Sequence, residues 1–340
     1  MPTVDTIVVW GAGAIGGTVG AYLARAGHDV LFVDSAGDHV TAMNASGLAI
    51  EGPIETFSVA APAMLPEQLD GRFRRILLCV KAHHTAGAAA ALAPHLADDG
   101  FVVSLQNGLN ERVIAAAVGE ARTIGAFVNF GADYLAPGRV LYGGRGAFVL
   151  GELDGARSQR VTALAELVRV MEPAAIVTDN IWGFLWGKLG YGALLFATAL
   201  TDDSIADVLD MAEFRPLLTA LAREVVAVSA AQGIWPEGFN GWDPAAFAPG
   251  AAQSAADASF DSMVAFNRRS AKSHSGIWRD LAVRKRKTEV DAQLGPVVTE
   301  AARVGLRTPL CERLVALIHG IEEGRQRLAR DTLLLLGREG

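Results

Sequence analysis

The chain has 340 residues, of which 51% are hydrophobic and 20% charged, and its formal net charge is −7. That length predicts two domains with sizeable cores, and the acidic balance excludes a general nucleic-acid binder. No apolar run reaches the roughly 18 uncharged residues that a membrane span needs, and the N-terminus enters the first strand with no room for a signal peptide.

Thr6-Ile7-Val8-Val9-Trp10 is a short β-branched run and predicts a strand. Gly11-Ala12-Gly13-Ala14-Ile15-Gly16 follows at once, and Thr18 to Ala26 reads as a helix. Gly27-His28 turns the chain into a second strand, Val30 to Val33, which ends on Asp34. A strand, a glycine turn, a helix, a strand and an acid, in that order, predict a dinucleotide site. Gly11 permits the tight turn, Gly13 lets a pyrophosphate approach the backbone, and Gly16 lets helix and strand pack closely. The free N–H groups of Ala14 and Ile15 at the helix start face the phosphates. Asp34 accepts from the adenosine ribose hydroxyls and repels a 2′-phosphate; Ser35-Ala36-Gly37-Asp38 supplies no cation. NAD is therefore expected over NADP. The competing readings are a glycine-rich turn without a ligand and a turn or cap aspartate.

A helix is predicted from Asp38 to Ser46, then an irregular stretch with short strands to Leu69. Arg75 to Val80 is a continuous apolar run, as a parallel strand covered on both faces reads. Cys79 falls inside it, and with Cys311 far away, free thiols in a reducing cytoplasm are expected. A helix from Ala86 to Leu96, a strand from Phe101 to Leu105 and a helix from Asn110 to Ala117 follow. Thr123 to Asn129, and Gly138 to Tyr142 with Gly146 to Gly151, are read as completing one open sheet. Val161 to Met171 is a helix and Ala175 to Val177 a short strand. From Ile181 onward only helices are expected: Trp182 to Leu200, Ser204 to Leu209, Phe214 to Gln232, Asp257 to Ser273, Thr288 to Val304 and Pro309 to Leu335. The fold class is α/β, with a Rossmann-type doubly wound domain over 1–179 and an all-helical domain over 180–340.

Ligands of an open sheet bind beyond the carboxyl ends of its strands, where Lys81 and Asn107 both fall. Asn107 can hold a nicotinamide or substrate, or simply form an Asn-Gly turn. Lys81 can contact the cofactor or stand solvated. Lys188 lies in the apolar run Trp182 to Gly190. Lysines are rarely buried without a partner, and burial favours the neutral amine. Beside a carboxylate, Lys188 could protonate the oxygen formed when hydride reaches a carbonyl; the alternative is a snorkelling surface lysine. A third polar cluster runs from Lys272 through Ser273, His274, Ser275 and Gly276 to Asp280, and on to Glu289. Arg284-Lys285-Arg286-Lys287 reads as a solvated helix face. His83-His84 lacks the helical spacing and third ligand of a metal site, so no metal is expected. No nucleophile elbow supports a triad through His274.

These motifs, with Lys81-Ala82, Gln106-Asn107-Gly108, Trp186-Gly187-Lys188-Leu189, Thr288-Glu289-Val290-Asp291 and Thr308-Pro309-Leu310, resemble the ketopantoate reductase family across almost the whole chain. The resemblance implies that Lys188 is the general acid, Glu289 its carboxylate partner, Asn107 the asparagine beside nicotinamide and substrate, and Lys81 a cofactor-side lysine. It also implies a homodimer through the helical domain. Where the family places asparagines four and eight residues after the lysine, this chain has Gly192 and Phe196; its substrate-binding serine falls on Gly276, next to Ser275. The expectation is an NAD-linked oxidoreductase for a small 2-oxo or hydroxy acid, with a changed substrate pocket at Lys188, Gly192, Phe196, Ser275 and Gly276. The alternatives are an NADPH-dependent 2-dehydropantoate 2-reductase and a nucleotide-binding protein without catalysis.

Overall fold

The computed structural model describes residues 2–270 and 273–338, so Lys272 lies outside the described residues. The chain forms two compact units, one ending at Ile181 and one beginning at Trp182.

The first unit runs β1 (Ile7–Trp10), α1 (Ala14–Arg25), β2 (Val30–Val33), α2 (Gly37–Ser46), β3 (Leu48–Glu51), β4 (Phe57–Val59), β5 (Ala63–Met64) and β6 (Phe73–Leu78). It continues through α3 (Thr85–Leu92), β7 (Leu96–Ser104), α4 (Asn110–Val118), β8 (Thr123–Val128), β9 (Gly131–Ala136), β10 (Arg139–Gly144), β11 (Phe148–Glu152), α5 (Gln159–Val168) and β12 (Ile176–Val177). An eight-stranded sheet has the order β12-β11-β8-β7-β6-β1-β2-β5. All neighbours are parallel except β11 and β8. β1 and β2, and β6 from Ile76 to Leu78, are apolar and buried on both faces, which explains their hydrophobic runs. β1 pairs with β2 on one side and β6 on the other, so the strand order reverses there and opens a crevice at their carboxyl ends.

The expectation of one sheet is corrected. β10 leaves the main sheet and joins β3, β4 and β9 in a separate four-stranded sheet, parallel to β3 and antiparallel to β9. The cause is α1, which is buried without interruption from Gly16 to Leu23 and so needs cover on two sides. Val140 and Tyr142, both fully buried, face it from β10, and Tyr142 stands edge-on to Tyr22 at 5.6 Å. β9 was missed because most of its side chains are half or fully exposed and carry no core signal.

The second unit contains α6 (Ile181–Thr198), α7 (Ile205–Asp210), α8 (Arg215–Ala231), α9 (Gln253–Arg269), the short α10 (Gly276–Trp278), α11 (Val290–Gln293), α12 (Gly295–Arg303), α13 (Pro309–Glu322) and α14 (Arg330–Leu336). Among its described residues there is no β-strand. Two long expected helices are each broken. Pro296 lacks the N–H to continue α11, and it starts α12 instead. Gly324, at φ +72°, ends the turn after α13 in the left-handed region. The stretch Arg284 to Lys287 is exposed as predicted, but it is a loop and not a helix face. Arg284 and Arg286 both pair with Asp280 there.

Candidate functional site

The glycine turn behaves as its three positions require. Gly11 has φ +97°, and a Cβ on it would lie 2.8 Å from the Val80 nitrogen. A Cβ on Gly16 would lie 2.0 Å from the Gly11 carbonyl oxygen, whereas one on Gly13 would meet nothing within 4 Å. Gly13 caps α1 without any side-chain hydrogen bond to the first turn, so the N–H groups over Ala14, Ile15 and Gly16 remain for a ligand. Ala12 is held at both ends. Its N–H donates to Asp34 Oδ2 at 2.7 Å, and its carbonyl lies 2.9 Å from His39 Nε2. The Gly138 N–H donates to His39 Nδ1 at 2.9 Å, so Nε2 carries the hydrogen given to Ala12. His39 is buried, and the sequence reading missed it because a lone histidine carries no pattern.

Lys81 follows β6 and Asn107 follows β7, two neighbouring strands. Lys81 is exposed and Asn107 half-buried. Gln106 joins the two strand-end loops: its amide nitrogen donates to the Val80 carbonyl at 2.8 Å and to the Thr85 hydroxyl at 2.7 Å. The Thr85 hydroxyl lies 2.8 Å from both the Ala82 carbonyl and Asn110 Oδ1. The Asn107 carbonyl accepts from the Asn110 amide, and the Asn107 side chain has no partner among the described residues. Gly11 through Gly16, Asp34, Lys81 and Asn107 therefore gather at the carboxyl ends of β1, β2, β6 and β7. Burial pushes the Cys79 thiol up, which keeps it protonated just past the end of β6.

In the second unit, Lys188 is half-buried on α6. Gly187 and Gly190 on that helix accept a loop. A Cβ on Gly187 would lie 2.1 Å from the Glu237 carbonyl oxygen, and one on Gly190 would lie 2.7 Å from the Trp242 ring. Glu237 N–H donates to the Gly183 carbonyl at 2.9 Å. Gly183, Gly187 and Gly190 form a helical face that spacing could have revealed. Gly192 is one turn beyond Lys188, and a Cβ on it would lie 3.7 Å from Gln293 Oε1. Phe196, a further turn along α6, is fully buried.

Ser275 caps α10, its hydroxyl accepting from the Trp278 N–H at 3.1 Å, and Gly276 faces open space. His274 reaches Ser273 and the Asp202 carbonyl, while Asp280 is held by two arginines, so no triad forms. Glu289 is half-buried at the N-cap of α11, and its carbonyl accepts from the Gln293 N–H at 3.0 Å. Thr288 fixes this corner: its N–H and hydroxyl both donate to Glu322 Oε1, at 2.7 and 2.8 Å.

The doubly wound sheet and the glycine turn at its switch point define a dinucleotide-binding domain of the Rossmann class, followed in the chain by a helical domain. Residues 7–155 match the family described as Ketopantoate reductase PanE/ApbA, and residues 180–322 match its C-terminal counterpart. The chain belongs to the ketopantoate reductase family. A 2-dehydropantoate 2-reductase of Mesorhizobium japonicum is 32% identical over 254 residues, which are 67% of this chain and 77% of that protein. One from Archaeoglobus fulgidus is 29% identical over 323 residues, 94% of this chain and 99% of that one. The solved PanE/ApbA family ketopantoate reductase of Ralstonia eutropha JMP134 is 26% identical with a TM-score of 0.77, covering 94% of this chain and 99% of that one. A D-mandelate dehydrogenase solved with NADH and anilino(oxo)acetate shares the fold, with a TM-score of 0.81 and 21% identity over 94% of this chain and 98% of that one. The curated relatives are oxidoreductases acting on a CH–OH group, and this chain is one too. No described helix is long and apolar enough to cross a membrane.

Proposed function

We propose that this protein is an NAD(H)-linked dehydrogenase that moves hydride between nicotinamide and the carbonyl or carbinol carbon of a small 2-oxo or hydroxy acid. The observation that carries the cofactor choice is Asp34. Its carboxylate is fixed against the Ala12 N–H at the lip of the glycine turn, and the exposed stretch Ser35 to Asp38 offers no cation for a 2′-phosphate. The likeness of fold to a D-mandelate dehydrogenase solved with NADH supports this reading.

When bound, the nicotinamide supplies or takes the hydride. The open space at Gly13 and the uncapped first turn of α1 fit its pyrophosphate. The unpartnered Asn107 amide has the donors and acceptor to orient the carboxamide or the substrate. Lys81 stands at the adjoining strand end as a cofactor-side cation. During reduction Lys188 gives a proton to the carbonyl oxygen as the carbon gains hydride, and in oxidation it takes that proton back. Glu289 steadies the ammonium. This pairing is supported by the approach of α6 to α11 at Gly192 and Gln293, each one turn beyond Lys188 and Glu289. Ser275 and Gly276 are assigned to the substrate's far side.

A panel of aliphatic and aryl 2-oxo acids with NADH and NADPH, and of hydroxy acids with NAD, tests the reading at 340 nm. Turnover of 2-oxo acids with a clear NADH preference is expected. Preference for NADPH with 2-dehydropantoate as the best substrate overturns it in favour of pantothenate synthesis. Coenzyme binding without turnover on any member overturns it in favour of a binding role.

A further inference from the structure

Lys188 and Gly192 lie one helical turn apart on α6, and Glu289 and Gln293 lie one turn apart at α11. A Cβ at Gly192 would have a single neighbour within 4 Å, the Oε1 of Gln293 at 3.7 Å. Beyond the Lys188 turn, the helix therefore leaves the space of a side chain, and the Gln293 amide stands at its edge. Gln293 is half-buried, yet its side chain has no hydrogen-bond partner among the described residues. A half-buried amide without a protein partner keeps its donors and its acceptor for water or a ligand. The amide carries two donors and one acceptor, and rotation exchanges the side that it presents.

We infer that Gln293 is a specificity-determining substrate contact, its amide N–H groups holding the carboxylate of a 2-oxo acid in the space left by Gly192. The inference rests on the 2-oxo acid reading above and deepens it. A donor is what a carboxylate needs there. A neutral donor holds the acid group without adding a second cation beside the lysine that must release its proton. Because the donor reaches from α11 and not from α6, the space over Gly192 stays free for the carboxylate itself.

The test is steady-state kinetics of the full-length protein with NADH and either 2-oxoisovalerate or phenylglyoxylate, comparing wild type, Gln293→Leu, Gln293→Glu and Gln293→Asn. Gln293→Leu is expected to raise the KM for the 2-oxo acid about tenfold while the KM for NADH stays within about twofold. Gln293→Glu should raise it further by like-charge repulsion, and Gln293→Asn should recover part of the loss. Benzaldehyde, which lacks the carboxylate, should be turned over equally by wild type and Gln293→Leu. Unchanged 2-oxo acid KM in Gln293→Leu overturns this inference alone. Equal losses for both oxo acids, benzaldehyde and NADH, with a lowered melting temperature, assign Gln293 a purely structural part and also overturn it. A wild type inactive with every 2-oxo acid overturns the functional reading, and this inference with it.

Discussion

The Asp34 carboxylate bridges two backbone N–H groups, accepting from Ala12 at 2.7 Å through Oδ2 and from Ala36 at 2.9 Å through Oδ1. Each oxygen keeps a further lone pair, so a cap and a ribose acceptor are compatible in one side chain. Asp34→Asn exchanges one acceptor for a donor and removes the charge. The KM for NADH should rise about tenfold and the preference over NADPH should shrink. Unaltered kinetics with both coenzymes would show that the carboxylate only shapes the turn.

Gly13 and Gly16 should separate folding from binding. Gly16→Ala puts a methyl 2.0 Å from the Gly11 carbonyl oxygen and 2.8 Å from the Cys79 Cβ, so strand and helix must part. We expect a loss of about 1–3 kcal/mol and a lower melting temperature. Gly13→Ala meets no protein atom within 4 Å, so its melting temperature should match wild type. Its coenzyme affinity should fall about tenfold or more, because the methyl occupies the pyrophosphate approach. Fluorescence titration with NADH and thermal melts measure the two effects independently.

Lys188→Ala should lower kcat by about 10²–10⁴ while NADH binding changes little, the signature of a lost proton donor. Near-normal turnover would remove the lysine from the chemistry. Glu289→Gln, which keeps its main-chain part in α11, should lower kcat less and move the pH profile.

Asp203 and Arg330 lie 127 residues apart and form a two-pronged pair, Oδ2 to Nε at 2.8 Å and Oδ1 to Nη2 at 2.7 Å. The guanidinium holds the Asp203 carboxyl below its ordinary value of 3.8. A depressed carboxyl contributes stability above its unfolded-state pKa and loses it as pH falls through the folded one. The melting temperature of Asp203→Asn should therefore lie below wild type at pH 7, and the gap should close in the acid range below about pH 4. A gap independent of pH would mean that the pair acts by packing alone.

The βαβ unit was legible from residues 6 to 34 because its glycines answer to backbone sterics and its strands to burial on both faces. The helical second unit was legible from the loss of β-branched runs after Ile181. The second sheet was not, because β10 pairs with β3 far earlier in the chain, and the side chains of β9 are half or fully exposed and carry no core signal. The breaks at Pro296 and Gly324 were overlooked where local helix propensity was strong on either side. Within the site, positions of residues were readable, but partners were not. Nothing local to His39, Gln106 or Gln293 indicates that a carbonyl at Ala12, a carbonyl at Val80 or a gap at Gly192 waits nearby.

The imidazole of His39 spans from Ala12 to Gly138, a reach of 99 residues on its longer side. A ribosome will have released the whole of β1, α1 and β2 well before that second anchor exists. The coenzyme loop can thus be made early and finished late. A fragment ending near residue 130 should fold its first strands yet hold the nucleotide poorly.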